Sequence, residues 1–206
     1  MNSNSLQKLV GDTDIYLLDQ VMKGRYRQTD KILDAGCGTG RNLHWFLKEN
    51  MNVYGIDRDL VAINELKIAH PSLPADRLHS CPVEHLPFEN NFFDHIISSA
   101  VLHFADSTSQ FQSMLAEMVR VLKPGGSLFI RMTSDAGIED KVKLIKDGVY
   151  SIPDQSKRFL LTRSLLTNIL QQHPLSFIEP FKTVNVDDMR CMSTLVFEKE
   201  KHHFKN

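Results

Sequence analysis

Short apolar runs alternate with longer segments of helical periodicity along most of the chain. The short runs are rich in Ile, Val, Leu and Phe, a composition that favours buried strands. The predicted strands are Lys31–Ala35, Asn52–Ile56, Leu78–Cys81, Phe93–Ser99 and Ser127–Met132. The predicted helices between them are Arg41–Glu49, Leu60–Ala69 and Thr108–Leu122.

The helix predicted at Thr108–Leu122 has the clearest amphipathic pattern. Its apolar side chains recur every three or four residues, which places them on one helix face. They are Phe111, Met114, Leu115, Met118 and Leu122. Lys123-Pro124-Gly125-Gly126 follows, and we expect it to end the helix and turn the chain. Strands and helices in this alternation predict right-handed βαβ units and a parallel sheet covered on both faces.

The last part of the chain departs from this alternation. After a helix predicted near Ser164–Gln172, two β-type segments, Ser176–Val184 and Arg190–Lys199, are separated by only five residues. A connection this short cannot form a parallel crossover, so the two strands are expected to pair antiparallel. The predicted fold is α/β, a doubly wound, mostly parallel seven-stranded sheet with an antiparallel C-terminal hairpin.

Length and composition indicate one folded unit. The chain has 206 residues, of which 42% are hydrophobic and 24% charged, as in ordinary globular domains. We therefore assign residues 1–206 to a single domain, with residues 1–29 as an N-terminal helical cap. Within that cap, the pattern of Asp12–Met22 predicts an amphipathic helix. This helix either closes over a ligand pocket or only packs on the rest of the domain. Residues 133–162 form a long excursion, and we expect an insertion on the substrate side.

The charge balance argues against a nucleic-acid partner. The net charge is −1, whereas proteins that bind nucleic acids usually carry a basic face that neutralises phosphates. A basic stretch at the C-terminal end is predicted to be a solvated tail; its residues are Lys199, Lys201, His202, His203 and Lys205. We expect a monomer or a homodimer.

Cysteine and histidine spacing argues against a metal site. Cys37, Cys81 and Cys191 are isolated, which disfavours both a disulfide framework and a zinc site, and no histidines are paired at metal-ligand spacing. The first residues lack the features of a signal peptide, and no apolar stretch approaches the roughly 20 residues that cross a bilayer. These features predict a cytoplasmic protein without membrane association.

A glycine-rich loop follows the first predicted strand. Gly36, Gly38 and Gly40 are spaced G-x-G-x-G, whereas dinucleotide-binding loops have G-x-G-x-x-G, whose third glycine would fall at Arg41. Asp34 stands just before the turn, where its carboxylate would repel a pyrophosphate and attract a ligand with ammonium and sulfonium charges. S-adenosylmethionine fits that description.

Asp57 is the second candidate in the site. It ends the next predicted strand about 20 residues after the loop, a position suited to accept hydrogen bonds from ribose hydroxyls. The alternative is that Asp57 caps the following helix, a role that Asp59 could fill equally well.

Four segments, in this order, resemble the small class I S-adenosylmethionine-dependent methyltransferases. They are ILDAGCGTGRN from Ile32, VYGID from Val53, EHLPFENNFFDHIISSAVLHF from Glu84 and EMVRVLKPGGSLFI from Glu117. The resemblance spans roughly residues 30–132 and implies the Rossmann-like methyltransferase fold. It also implies S-adenosyl-L-methionine as methyl donor, S-adenosyl-L-homocysteine as product, and a small-molecule methyl acceptor as partner.

The resemblance assigns cofactor contacts residue by residue. The loop and the strand before it supply Asp34, Gly36, Cys37, Gly38 and Gly40, and the next strand supplies Asp57 and Arg58. The family's acidic adenine contact would fall on Pro82, so this chain departs from the pattern there. Val83 can offer its backbone N–H and Glu84 the nearest carboxylate, and Ser98 lies beside the expected sulfonium position. The family motif for methylation of nucleobase or amide nitrogens is missing.

Methyl transfer can proceed largely by positioning the donor and acceptor, and it needs a base only when the acceptor arrives protonated. His103 is the candidate catalytic residue because imidazole titrates near neutral pH; the alternative is a surface or capping histidine. Arg131, in an apolar strand, needs either an acidic neighbour or an anionic substrate, and Arg190 poses a similar question.

Two other functions remain open at this stage. One is a non-catalytic cofactor-binding or interaction protein that keeps the fold. The other is a nicotinamide-dependent oxidoreductase, which Asp34 and the glycine spacing disfavour.

Overall fold

The computed structural model describes residues 3–201. The strands of the main sheet are β1 (Lys31–Ala35), β2 (Asn52–Asp57), β3 (Leu78–Ser80), β4 (Phe93–Ser99), β5 (Leu122–Ser134), β9 (Leu175–Phe177), β10 (Lys182–Val186) and β11 (Arg190–Lys199). A second, small sheet contains β6 (Lys143–Lys146), β7 (Val149–Ser151) and β8 (Lys157–Phe159). The α-helices are α1 (Ser3–Val10), α2 (Ile15–Met22), α3 (His44–Lys48), α4 (Leu60–Ala69), α5 (Thr108–Val121) and α6 (Arg163–Gln172).

The main sheet has the order β10-β11-β5-β4-β1-β2-β3, with β9 also paired to β11. β3, β2, β1, β4 and β5 run parallel, and β11 is antiparallel to β5, β9 and β10. The doubly wound α/β prediction, with its reversed C-terminal strand, is confirmed. The sheet nevertheless contains eight strands rather than seven.

The additional strand arises because the predicted segment Ser176–Val184 is divided in two. β9 pairs with the Phe197–Lys199 end of β11, and β10 pairs with Arg190–Thr194. Between them lies Pro180, which has no backbone N–H to donate to a strand ladder. The proline therefore explains why one apolar run forms two strands.

The Lys123-Pro124-Gly125-Gly126 segment also differs from expectation. It ends α5 as predicted, but it lies inside β5 as a bulge. Phe93 pairs with Leu122 and His95 with Ser127, so the extra residues stand on the β5 side of the ladder.

Two apolar layers cover the two faces of the sheet. α5 and α6 pack on one face, where Leu33, Ile96 and Ile130 face Met118 and Ile169. The other face is covered by α2, α3 and α4 through Leu17, Phe46, Ile63 and Leu66, among others. Side chains alternate between these layers along each strand, as expected for a sheet buried on both faces.

The insertion predicted at residues 133–162 contains the small antiparallel sheet β6-β7-β8. Its Phe159 is buried and stacks on Phe111 of α5, with ring centroids 4.9 Å apart. A parallel bridge between Ser134 and Leu161 joins the end of the insertion to β5. The insertion is therefore held against the main sheet near the C-terminal end of β5.

The predicted solvated tail is wrong for Lys199. This residue is only 9% exposed, and its Nζ donates to Asn91 Oδ1, to the carbonyl of Val119 and to the carbonyl of Leu122, at 2.9, 2.8 and 2.7 Å. Its ammonium thus satisfies carbonyls at the C-terminal end of α5. Lys201 is exposed as expected, and residues 202–206 lie outside the described part of the chain. Within residues 3–201, the helices are too short or too polar to span a membrane.

Candidate active site

The strand order creates a switch point between β1 and β4. The chain moves outward from β1 through β2 to β3, and then returns to β4 on the opposite side of β1. Ligands of open α/β sheets bind outside the carboxyl ends of strands at such a point. Here the segments that follow the two strand ends are the glycine loop, after Ala35, and Ala100, after Ser99.

The three loop glycines have left-handed backbone conformations, with φ of +94° at Gly36, +52° at Gly38 and +90° at Gly40. A Cβ at Gly36 would collide with Val101, and one at Gly40 with Leu66. At Gly38, no atom of the described residues lies within 4 Å of the Cβ position. Gly38 therefore borders open space that a ligand can approach.

Most of the N–H groups in this loop already have partners within the protein. Gly36 and Cys37 both donate to the carbonyl of Ile56, at 2.8 and 2.9 Å, and Gly38 donates to Asp57 Oδ2 at 2.8 Å. A pyrophosphate depends on such N–H groups, so this arrangement disfavours a dinucleotide. The sequence of the loop, with Asp34 before the turn, had already indicated a cationic ligand. The internally bonded N–H groups support that inference independently.

The two candidate aspartates after β2 have separate roles. Asp59 is the N-cap of α4, with its Oδ1 accepting from the N–H groups of Val61 and Ala62 at 2.8 and 3.4 Å. Asp57 instead contacts the glycine loop through Gly38 and accepts from the Asp59 N–H at 2.9 Å. Asp59 thus caps the helix, whereas Asp57 is tied to the glycine loop.

Asp34 lies beneath the loop and is only 1% exposed. Neither of its carboxylate oxygens has a hydrogen-bond partner among the described residues. Burial raises the pKa of Asp34 to about 7, Arg41 opposes the shift, and the nearby Asp57 adds to it. A buried carboxylate without a partner is costly, and a ligand ammonium would relieve that cost.

A cleft of about 240 Å³ opens beside this loop. We call it the glycine-loop cleft; its walls are formed by Gly36, Asp57, Arg58, Pro82, Val83, Glu84, Ala100, Val101, Phe104, Gln110 and Met114. Five of the predicted contact residues are thereby brought together: Gly36, Asp57, Arg58, Val83 and Glu84. The mixture of two carboxylates with apolar side chains suits a nucleoside with a positively charged substituent.

Glu84 has a fixed position on this wall. Its Oε1 accepts from Gln110 Nε2 at 2.6 Å, and both residues line the cleft. Pro82 also lies on the wall, so the position at which this chain departs from the family pattern is at the cleft itself. Gln110 and Met114, one turn apart on α5, were not identified from the sequence. Their i, i+4 spacing places both side chains on the same face of α5 and could have identified them. The apolar pattern of the helix instead assigned Met114 only to the core.

The other predicted contacts do not line the cleft. Cys37 is buried with its Sγ in the core beside Gly55, so only its backbone belongs to the loop surface. Gly40 packs against Leu66, and Ser98 is fully buried in β4, where its Oγ has no hydrogen-bond partner among the described residues. Ala100, two residues further along, occupies the wall position expected for Ser98.

A second pocket of about 220 Å³ adjoins the first, and Ala100 lines both. We call it the arginine pocket; it is lined by Ala100, His103, Arg131, Thr133, Ile152, Asp154, Ser156, Arg158, Arg190 and Met192. Four of these residues come from the insertion between β5 and α6. The sequence analysis had singled out Arg131 and Arg190 separately, and the fold brings both to one pocket together with Arg158 of the insertion.

His103 lies in the wall of the arginine pocket and is 6% exposed. Its Nδ1 accepts from the backbone N–H of Thr133 at 3.3 Å and lies 3.0 Å from Thr133 Oγ1. Burial, followed by the positive charges of Arg158 and Arg190, lowers the pKa of His103 to about 4. The imidazole is therefore neutral at pH 7, with its proton on Nε2, and neither a surface nor a capping histidine describes it.

The sequence analysis left open whether Arg131 pairs with an acidic residue or with an anionic substrate. In the structure it pairs with an acidic residue. Its Nη1 lies 2.5 Å from Oδ2 of Asp14, the N-cap residue of α2, and its guanidinium stacks over Tyr16. The N-terminal segment thus packs directly behind the arginine pocket. The buried Nε of Arg131 still has no hydrogen-bond partner among the described residues.

Titratable side chains elsewhere do not form a metal site in the part of the chain that the structure describes. No group of three or more His, Cys, Asp or Glu side chains converges there. Cys37, Cys81 and Cys191 are separate free thiols in the structure.

About half of the chain is similar to known methyltransferases. Residues 33–130, just under half of the chain, match the family model described as "Methyltransferase domain". The chain is 37% identical over 99 residues to the uncharacterized methyltransferase YodH of Bacillus subtilis, covering 47% of this chain and 40% of YodH. It is 32% identical over 131 residues to a tRNA U34 carboxymethyltransferase of Pseudoalteromonas atlantica, covering 62% of this chain and 38% of that protein. It therefore spans about two fifths of the length of these curated relatives.

Solved structures show the same fold at low sequence identity. A SAM-dependent methyltransferase of Methanosarcina mazei superimposes with a TM-score of 0.72 at 18% identity, covering 88% of this chain and 98% of that one. The 1,6-didemethyltoxoflavin-N1-methyltransferase of Burkholderia thailandensis, solved with its substrate and S-adenosylhomocysteine, gives 0.67 at 20% identity, covering 88% and 75%. Together with the match of residues 33–130 to a methyltransferase domain, these structures show that the chain has the fold of the S-adenosylmethionine-dependent methyltransferases.

Proposed function

We propose that this protein transfers a methyl group from S-adenosylmethionine to a small molecule and releases S-adenosylhomocysteine. The observation that carries the proposal is the pair of adjoining cavities at the switch point, which share Ala100. Two adjacent cavities suit a reaction in which a donor and an acceptor must meet in line. The methyl donor is a substrate consumed in each turnover.

The donor belongs in the glycine-loop cleft. Asp57 is placed to accept hydrogen bonds from the ribose hydroxyls, and Glu84 and the Val83 backbone border the expected adenine position. Gly38 allows close approach of the ligand to the loop backbone. Asp34 would take the ammonium of the methionine part and gain the partner that it lacks within the protein.

The acceptor belongs in the arginine pocket. Its volume of about 220 Å³ suits a small molecule, and the net charge of −1 gives no sign of a nucleic-acid surface. The name of the Pseudoalteromonas relative nevertheless makes tRNA the alternative acceptor. A cytoplasmic location and a monomeric or homodimeric state complete the proposal. The second alternative is a non-catalytic protein that retains the fold. Detection of methyl transfer would exclude it.

Thermal unfolding in the presence of candidate ligands tests the proposal. A ligand at about 100 times its Kd adds roughly 2.7 kcal/mol to the free energy of unfolding. For a domain of this size, Tm would rise by about 5–11 °C. We expect that rise with S-adenosylmethionine and S-adenosylhomocysteine and none with NADH. A rise with NADH alone, or with none of the three, would contradict the proposal.

A further inference from the structure

The arginine pocket carries more positive charge than the protein neutralises. Among residues 5–201, neither Arg158 nor Arg190 forms an ion pair; Arg158 donates to the carbonyl of Lys157 and stacks over Phe104. Arg131 is paired with Asp14 but keeps a buried Nε–H without a partner. Guanidinium groups with free N–H donors bind carboxylates in a planar, bidentate geometry.

Asp154 is the acidic side chain that lines this pocket, and its carboxylate is already hydrogen-bonded within the protein. Its Oδ1 accepts from the backbone N–H and the hydroxyl of Ser156, at 2.9 and 2.6 Å. Burial alone would raise the pKa of Asp154, but the Ser156 hydrogen bonds and the charges of Arg190 and Arg158 hold it below the usual value. Asp154 therefore stays ionised and offsets only one of the guanidinium charges.

The pocket also lacks a side chain that could remove a proton from the acceptor. The lone pair of His103 Nδ1 is directed at the Thr133 N–H, so the Nε2 that remains is an N–H donor. Asp154, ionised and doubly hydrogen-bonded, is a weak base. The acceptor best matched to this pocket is already deprotonated at neutral pH and is itself an anion.

We propose that the arginine pocket binds the methyl acceptor as a small carboxylate and that this carboxylate is the group methylated. Arg158 and Arg190 hold the anion, and the His103 N–H adds a third donor. This inference rests on the proposed function, because it assigns the acceptor of that same site.

The reaction balances without a proton transfer. A lone pair of the carboxylate oxygen forms the new O–CH₃ bond, the S–CH₃ bond of the donor breaks, and its electron pair stays on sulfur. The anion and the sulfonium cation become a neutral methyl ester and a neutral thioether. Because the ester no longer carries the charge that the arginines hold, its release is favoured.

Calorimetric titration of the protein saturated with S-adenosylhomocysteine tests the binding step. The probes are benzoate, phenylacetate and succinate, each compared with its uncharged amide. We expect the acids to bind at least tenfold more tightly than the amides. We also expect Arg158→Met and Arg190→Met each to weaken acid binding at least tenfold. Arg77→Met is the matched control, because Arg77 stacks on Tyr54 away from the pocket and its loss should change nothing.

Equal binding of acids and amides, absence of acid binding, or unchanged binding in both arginine variants would overturn the inference. The affinity for S-adenosylhomocysteine, measured in the same variants, shows that they are folded. It also separates the two proposals. Failure of the wild type to bind S-adenosylhomocysteine contradicts the proposed function, whereas normal binding of that ligand without acid binding contradicts only the carboxylate assignment.

Product chemistry tests the methylation step. Carboxyl methyl esters release volatile methanol in alkali, whereas methyl groups on nitrogen or sulfur do not. With methyl-tritiated S-adenosylmethionine and the acids that bind, we expect alkali-labile volatile label that disappears in the Arg158→Met protein. Label only in alkali-stable products, or no label from any bound acid, would overturn methylation at the carboxylate.

Discussion

The backbone N–H of Thr133 donates a hydrogen bond to Nδ1 of His103 and thereby assigns the imidazole proton to Nε2. This amide cannot accept a proton in return, so its hydrogen bond favours the tautomer that carries the proton on Nε2. His103 consequently presents an N–H to the arginine pocket. This geometry changes its expected role from a general base to a hydrogen-bond donor that orients the acceptor.

The His103 assignment predicts different outcomes for two substitutions. A general base contributes about 10²–10⁴-fold to the rate, so every variant that lacks one would lose at least that much. If the N–H donor is what matters, His103→Gln, which keeps an N–H near the same position, should retain kcat within about tenfold. His103→Leu should lose more than the Gln variant, with the affinity for S-adenosylhomocysteine unchanged in both. Loss of 100-fold or more in His103→Gln would restore the general base.

Asp57→Ala should weaken the binding of S-adenosylhomocysteine. A hydrogen bond to a charged group is worth about 1.5–3 kcal/mol, which corresponds to about a 10–150-fold rise in Kd. Asp59→Ala is the matched control, because its carboxylate only caps α4. That variant should lose about 1 kcal/mol of stability and bind the ligand normally. Calorimetry and chemical unfolding measure both quantities, and an unchanged Kd in Asp57→Ala would remove this residue from the site.

Gly38→Ala should impair ligand binding beyond its effect on stability. An alanine at a left-handed φ of +52° costs roughly 1–2 kcal/mol, and its Cβ would project into the space beside the loop. Gly24→Ala, outside the glycine loop, imposes the same kind of backbone strain at φ +67°, and no described atom lies within 4 Å of its added Cβ. We expect similar stability losses in the two variants and at least a tenfold weaker affinity for S-adenosylhomocysteine in Gly38→Ala alone. Equal affinities would show that the ligand does not approach Gly38.

Asp34 should make the ligand-free protein less stable as the pH rises. Its pKa is about 7 in the folded state and near 3.8 in the unfolded chain, so the folded state retains the proton between these values. The stabilisation from that retained proton is full below about pH 4 and is lost as the pH approaches 7, by up to about 4 kcal/mol. Urea unfolding at pH 4 and pH 8 should therefore show a fall in stability that Asp34→Asn reduces.

Asp76→Asn is the control for this pH dependence, because Asp76 is an exposed carboxylate in a surface turn. Its profile should follow that of the wild type. A wild-type profile that Asp34→Asn leaves unchanged would mean that the pKa of Asp34 is the same in the folded and unfolded states.

The sheet and its order of elements were predictable because each strand and helix carries its own local pattern. β1, β4, α4 and β11 have the predicted bounds, since their apolar periodicity and flanking polar residues are unambiguous. The sequence did not predict the division into β9 and β10 at Pro180 or the bulge of β5 at Pro124. Both depend on which backbone N–H and C=O groups pair with the neighbouring strand. The burial of Lys199 was missed for a similar reason, since its carbonyl partners lie about 80 residues earlier in the chain.

The glycine loop could also be predicted as part of the site, because Gly36, Gly38 and Gly40 are close in sequence and their spacing is set by a single tight turn. The arginine pocket could not be assembled in this way. Arg131 and Arg190 lie on the paired strands β5 and β11, whereas Arg158 lies on β8 and reaches the pocket only because the small sheet packs against the main sheet. The role of His103 depended on Thr133, a contact between a loop and a strand 30 residues apart.

A crystal structure of the complex with S-adenosylhomocysteine tests the central claim most directly. The account predicts that the ribose hydroxyls lie within hydrogen-bond distance of Asp57 and that the sulfur faces Ala100, at the junction of the two pockets. A ligand bound away from the glycine loop, or one whose sulfur points away from the arginine pocket, would contradict it.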